Sequence, residues 1–207
     1  MNKKISMDPR AKRTKAYFIN ALITLLNKKD LNKITVQNIA DEAKLTRGTF
    51  YLHYIDKQDF YSSVINDVLE ELIVHVKDNA VSQIIEKKDK IYAHPSFIKL
   101  FEYIYDHREF FKVMLSDKGI PEFRRRLQNI VEEKIYEELV DNIVDLNQYN
   151  NIPKEILFSY ITSAHIGVIT SWLDNDVKYS PEFMAHLLYN WTLKGVINEV
   201  TRERENY

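Results

Sequence analysis

The sequence predicts an all-α chain of about nine helices, a small three-helix head followed by a larger helical body. Three observations predict it. Four Gly and five Pro in 207 residues leave little room for the many tight turns of a β fold. Three helix starts of one kind follow one another between Ile34 and Phe60. Apolar residues then recur at helical spacing to the end, with no convincing strand alternation.

The first helix is predicted from about Pro9 to Lys28. Asp8 reads as its cap and Pro9 suits a first helical position. Phe18, Ala21, Leu22 and Leu25 share one face, placed to pack on Ile39, Ala43 and Phe50. Thr35, Thr46 and Asp56 then each read as an N-cap, whose side-chain oxygen accepts from an orphaned backbone N–H. The flanking pairs Ile34/Ile39, Leu45/Phe50 and Ile55/Phe60 have the spacing of hydrophobic staples. Two short helices and the start of a third follow, joined by minimal turns. Two short helices crossing at a tight turn form a helix-turn-helix, which lays its second helix in the DNA major groove. An ordinary helical hairpin has the same periodicity, and the outer face of the second helix separates the two readings. Around Phe50 and Tyr54, which point inward, Gly48, Thr49, Tyr51 and Leu52 point out, with Arg47 at the first turn. That face has no carboxylate, whereas a merely solvated face would be rich in Glu and Lys. Thr and Leu methyls suit thymine methyls, Arg suits guanine, and Gly48 permits close approach.

Charge is divided along the chain. Residues 1–60 hold 12 Lys/Arg against 6 Asp/Glu, and residues 61–207 hold 17 against 24. A basic head on an acidic body suits phosphate contact, which supplies most non-specific DNA affinity. Arg10 to Lys15 are placed near phosphates, and the first five residues are read as a mobile tail.

The run Thr35-Val36-Gln37-Asn38-Ile39-Ala40-Asp41-Glu42-Ala43, with Leu45-Thr46-Arg47-Gly48-Thr49-Phe50-Tyr51-Leu52-His53-Tyr54 and Asp56-Lys57, resembles the DNA-binding domain of TetR/AcrR-family transcriptional regulators. The resemblance covers about the first quarter of the chain. Ile55, where many members carry Phe or a polar residue, is read as part of the third staple. With the helical wheel, the resemblance implies that Arg47, Gly48, Thr49 and Leu52 approach bases. It implies that Thr35, Thr46, Tyr51, His53 and Lys57 approach phosphates. It further implies a helix-turn-helix head over 1–56 and an effector-binding and dimerisation body over 57–207. The partners implied are a palindromic double-stranded operator, a small molecule and a second copy of the chain. Repression released by an inducer is the default; activation, co-repression and a helical protein-binding scaffold are the alternatives.

Beyond the head, a long helix is predicted from Lys57 to about Gln83, with Phe60, Val64, Val68 and Leu72 on one stripe. Ile84–Ala93 reads as a loop. Further helices are predicted at Ser96–Asp106, Arg108–Leu115, Pro121–Leu146, Pro153–Asp174 and Pro181–Arg202, the last three with Pro near their starts. Gly167 and Gly195 are costly in mid-helix and suggest close helix approach. With Trp172, Met184, Leu187, Leu188 and Trp191 they form a candidate dimer interface, similar to the C-terminal helices of many TetR-type regulators. Core packing within one protomer suits the Trp residues as well. Phe97, Phe101, Phe110, Phe111, Met114 and His165 are candidate effector contacts, since aromatics with a few polar handles line apolar pockets. Each, taken singly, suits plain core packing. Arg124-Arg125-Arg126 reads as a solvated face paired with Glu122, Glu132 and Glu133.

With no Cys, disulfides and thiolate metal sites are excluded. No His/Asp/Glu pair has convincing ligand spacing, and no cofactor is expected. No phosphate loop or nucleophile elbow is present, so an enzyme is not the expectation. The N-terminal residues lack the apolar core of a secretion signal, and Tyr160–Leu173 reads as too short to span a bilayer. A cytoplasmic protein is therefore expected.

Overall fold

The computed structural model describes residues 8–77, 93, 95–142 and 153–192. All regular structure among them is helical: α1 (Pro9–Lys28), a short 3-10 turn (Leu31–Lys33), α2 (Val36–Glu42), α3 (Arg47–His53), α4 (Lys57–Lys77), α5 (Pro95–Asp106), α6 (Arg108–Leu115), α7 (Pro121–Asn142), α8 (Lys154–Asp174) and α9 (Pro181–Trp191). The predicted extensions of α4 to Gln83, α7 to Leu146 and α9 to Arg202, and the loop Ile84–Ala93 apart from Ala93, lie outside the described residues.

The head is built by its caps. Asp8 Oδ1 accepts from the Arg10 N–H at 2.9 Å and starts α1. Thr35 Oγ1 accepts from the Asn38 N–H at 3.1 Å, and Asn38 Oδ1 accepts from the Thr35 N–H at 3.2 Å, a reciprocal capping box. α2 ends in a Schellman motif: the Lys44 N–H donates to Asp41 O and the Leu45 N–H to Ala40 O. Lys44, at φ 56°, sits in the left-handed position that usually takes Gly. Thr46 Oγ1 then accepts from the Thr49 N–H at 3.0 Å and starts α3.

The third start has its predicted Asp56 cap but not its predicted staple. Asp56 Oδ1 accepts from the Asp59 N–H, and Asp59 Oδ2 accepts from the Ile55 N–H, both at 2.8 Å. These bonds fix the entrance to α4, and Ile55 is 82% exposed, so it closes no staple. The other pair tested by full burial, Ile34 and Ile39, is in the core as predicted.

Phe18 of α1, Phe50 of α3, Tyr54, and Phe60 of α4 form one ring cluster. Phe50 meets Phe18 at 5.4 Å and Phe60 at 5.5 Å, and Tyr54 meets Phe60 at 4.8 Å. Each fully buried Phe contributes about 1.5–3 kcal/mol by transfer, and with the buried Leu22, Leu26, Ile34 and Ile39 these rings make up the core of the head. It also fastens the head to α4.

In the body, α4 packs on α5 and α7, α5 on α9, α7 on α8, and α6 on both α8 and α1. The stripe Phe60, Val64, Val68 and Leu72 is buried as predicted. Head and body therefore touch through α4 and through the α1–α6 contact. Lys118 Nζ donates to Asn27 O at 3.1 Å beside that contact. The arginine triplet is less solvated than predicted. Arg125 pairs with Glu122, but Arg124 donates to Leu115 O at the end of α6, and Arg126 donates to Asn66 Oδ1 of α4. A second correction concerns α8. Over Glu155–Asp174 it is long and apolar enough, by length and composition, to cross a membrane. The stretch read as too short begins five residues late. In the fold this helix packs on α6 and α7 as a core element.

Candidate nucleic-acid interface

Because Phe50 and Tyr54 are drawn into the ring cluster, the opposite side of α3 must face outward. Arg47, Gly48, Tyr51 and Leu52 are exposed there and Thr49 is half-buried, as the helical wheel predicts. Leu52 is 84% exposed. Ile55, just beyond the end of α3, adds a second exposed aliphatic group that the sequence reading assigned to a staple. The available signal was that Asp56 and Asp59 alone can start the helix.

Arg47 and Tyr51 touch. Arg47 Nη2 donates to Tyr51 Oη at 3.2 Å, and the guanidinium carbon lies 5.7 Å from the ring centroid. Thr46 and Thr49 share a hydroxyl hydrogen bond at 2.9 Å. Thr46 Oγ1 thus already serves the helix start. Thr35 is exposed at the start of α2 and His53 is half-buried at the end of α3. Lys57 is half-buried and donates from Nζ to Ile34 O at 2.8 Å. One of its three protons is therefore spent holding α4 to the loop before α2.

Gly48 lies in this face without an internal reason. A Cβ there would meet only Thr46 Oγ1, at 3.6 Å, an ordinary contact. Gly costs a helix interior about 1 kcal/mol against Ala, less in this first turn, and no described neighbour crowds the position. Of the basic residues on α1, Arg10, Lys12 and Arg13 are exposed. Lys15 instead turns toward α4 and pairs with Asp67 at 3.1 Å.

The candidate effector residues are all buried, and their ring contacts fall in separate parts of the body's core. Phe110 and Phe111 pack on Phe123, at 5.4 and 5.6 Å. Phe101 packs on Trp172 at 5.5 Å, and Phe97 on His165 and Tyr189 at 5.7 and 5.6 Å. Met114 is buried on α6. A groove of about 1020 Å³ opens between α1, α4 and α6, with Ile19, Ile23, Val68 and Phe110 in its lining. Of the six candidates only Phe110 reaches it.

Of the candidate dimer residues, Trp172, Met184 and Leu188 are buried within the protomer. The Trp172 indole N–H donates to Tyr179 O at 3.0 Å. Trp172, Met184, Leu187 and Trp191 share the lining of a groove of about 430 Å³, and Trp191 is 58% exposed. Gly167 is exposed on α8, and a Cβ there would meet nothing within 4 Å. Gly195 lies outside the described residues.

A helix-turn-helix whose second helix presents a carboxylate-free, aliphatic and Arg-bearing face, set on a helical body, defines a DNA-binding transcriptional regulator. The family described as "Bacterial regulatory proteins, tetR family" matches residues 18–64, and that described as "Transcriptional regulator C-terminal region" matches residues 92–194. The HTH-type transcriptional regulator YxbF of Bacillus subtilis is 29% identical over 171 residues, 82% of this chain but 42% of YxbF. This chain thus spans about two fifths of that relative. A protein of Escherichia coli described as "Probable acrEF/envCD operon repressor" is 25% identical, over 82% of this chain and 83% of its own. The crystal structure of a TetR transcriptional regulator from Streptococcus agalactiae shares the fold, with a TM-score of 0.63 at 23% identity over 88% of this chain and 95% of that one. The chain belongs to the TetR family of transcriptional regulators.

Proposed function

We propose that this regulator is a cytoplasmic homodimeric repressor that leaves a palindromic operator when a small apolar or amphipathic molecule binds its body. The observation that carries the reading is the outer face of α3. It exposes Leu52 and Tyr51, keeps a glycine that the protein's own packing does not need, and has no carboxylate. We assign Arg47, Gly48, Thr49 and Leu52 to bases, and Thr35, Thr46, Tyr51, His53 and Lys57 to phosphates. The division stays between a head ending at Asp56 and a body starting at Lys57, with Phe60 carrying head packing across it. Repression is supported by the name of the E. coli relative.

Dimerisation is supported by α8. Ile156, Tyr160, Ser163, Ala164, Gly167 and Ser171 make one exposed, uncharged stripe at helical spacing, small in the middle. A second helix can approach closely there, with Trp191 of α9 beside it. Two heads then read half-sites about one helical turn, or a multiple, apart. The groove between α1, α4 and α6 touches both head and body, so a ligand that alters that junction alters head spacing. A coupling of about 1–3 kcal/mol changes DNA affinity about 5- to 150-fold, and DNA weakens the ligand by the same factor. Selection of bound sites from random DNA tests the proposal. Enriched near-palindromic sites are expected; enrichment of no sequence would refute it.

A further inference from the structure

The contact between Arg47 and Tyr51 links two groups that would otherwise act separately. They sit four residues apart on α3 and so lie one above the other on the exposed face. Tyr51 is braced: its ring meets the buried Phe50 ring edge-on at 5.6 Å. Arg47 is exposed, and among the described residues it rests on Tyr51, at 3.2 Å through Nη2 and 5.7 Å from the ring centroid. A long guanidinium side chain in solvent samples many rotamers, and one resting on a fixed ring samples few.

The donor and acceptor accounting leaves room for both partners to work at once. A guanidinium has five N–H groups, and the bond to Tyr51 takes one from Nη2. The remaining ones include the pair that a bidentate guanine contact needs. The Tyr51 hydroxyl accepts from Arg47, which leaves its own O–H free to donate to a phosphate oxygen. We propose that Tyr51 is the positioning residue for Arg47, so that phosphate docking and guanine reading form one coupled contact. The coupling rests on the operator-binding reading above. It departs from that reading in one respect: a lone phosphate contact carries no sequence information, whereas here loss of the Tyr51 hydroxyl loosens base discrimination.

The test uses the full chain, a selected operator, and a panel of that operator with single base-pair changes, measured by fluorescence anisotropy. Wild type, Arg47→Ala, Tyr51→Phe and the double variant are compared, with thermal melts to confirm that these exposed changes leave the fold intact. Arg47→Ala is expected to lose about 5- to 150-fold of discrimination at one G·C pair per half-site. Tyr51→Phe should lose about 2- to 12-fold at that same pair, the cost of one long side chain left unordered, and little elsewhere. The double variant should discriminate no worse than Arg47→Ala. If Tyr51→Phe weakens the operator and every variant by one common factor, or if the two losses simply multiply, the coupling is wrong. A wild-type chain that prefers no sequence would instead remove the operator reading itself, and this inference with it.

Discussion

Gly48 in the recognition helix and Gly119 in the turn between α6 and α7 are both glycines without a left-handed backbone, and they are there for opposite reasons. A Cβ at Gly119 would lie 2.2 Å from Met114 O and 2.6 Å from the Met114 carbonyl carbon. Backbone stands in the way and cannot retreat. A Cβ at Gly48 would meet one hydroxyl at ordinary contact distance, and one at Gly167 would meet nothing. A glycine that crowding demands explains itself within the fold. One that a helix carries at a cost, with open space around it, points to something that approaches from outside. That criterion supports α3 and α8 as the faces proposed here for partners, and it gives no such support to the α6–α7 turn.

The largest expected effect is therefore on the crowded side. Gly119→Ala should destabilise the chain by about 3 kcal/mol or more, because the turn must shift and the buried Leu115 and Ile120 beside it shift too. A chemical-denaturation midpoint that does not move would show that the turn has slack. On the open side, Gly167→Leu should leave the protomer's melting unchanged or higher. It should weaken self-association by about 1–3 kcal/mol if α8 packs closely against its copy. Sedimentation against concentration reads this directly. Leu188→Glu would confuse the test, since Leu188 is buried against its own core and the variant would lose the fold before the dimer.

These contrasts mark how far the sequence alone could reach. The caps at Asp8, Thr35, Thr46 and Asp56 were legible because each bond spans two or three residues. The outward face of α3 was legible because Phe50 and Tyr54 define its inward one. Three features were missed, two because they depend on a distant neighbour and one because two local signals competed. Lys15 meets Asp67 across 52 residues, and no local pattern forecasts it. Trp172 and Leu188 have the same apolar character whether they face their own core or a second copy, so only the packing of α5 on α8 and α9 decides. Ile55 has staple spacing, but the Asp56–Asp59 bonds had already set the chain direction. Spacing establishes opportunity, and competing hydrogen bonds decide whether it is used.

Gly48→Ala sharpens the comparison further, since its two effects have opposite sign. Ala is the better helix former, so the head should gain about 0.5–1 kcal/mol. Operator affinity should fall, because the added methyl projects from the face proposed to meet bases. Melting and anisotropy on the same sample separate the two. A variant both more stable and equally tight would place DNA farther from Gly48 than proposed.

The smallest expected effect lies one turn earlier, at Lys44. Its φ of 56° puts a side chain in the left-handed region, where a non-glycine residue is strained by about 1–2 kcal/mol. The Schellman bonds of Lys44 and Leu45 hold it there. Glycine removes that strain but adds freedom to the unfolded chain, so the two contributions largely offset. Lys44→Gly should therefore stabilise the head by only about 0.5 kcal/mol, with the crossing of α2 and α3 retained. Lys44 is exposed, so the change also removes one positive charge from the head. If that charge meets a phosphate, the slope of log affinity against log salt should decrease by about one unit with no change in base preference. If Lys44 faces only solvent, the slope should stay and the stability gain alone should remain. A loss of stability would instead mean that the lysine stem contributes packing at the turn that offsets its backbone strain.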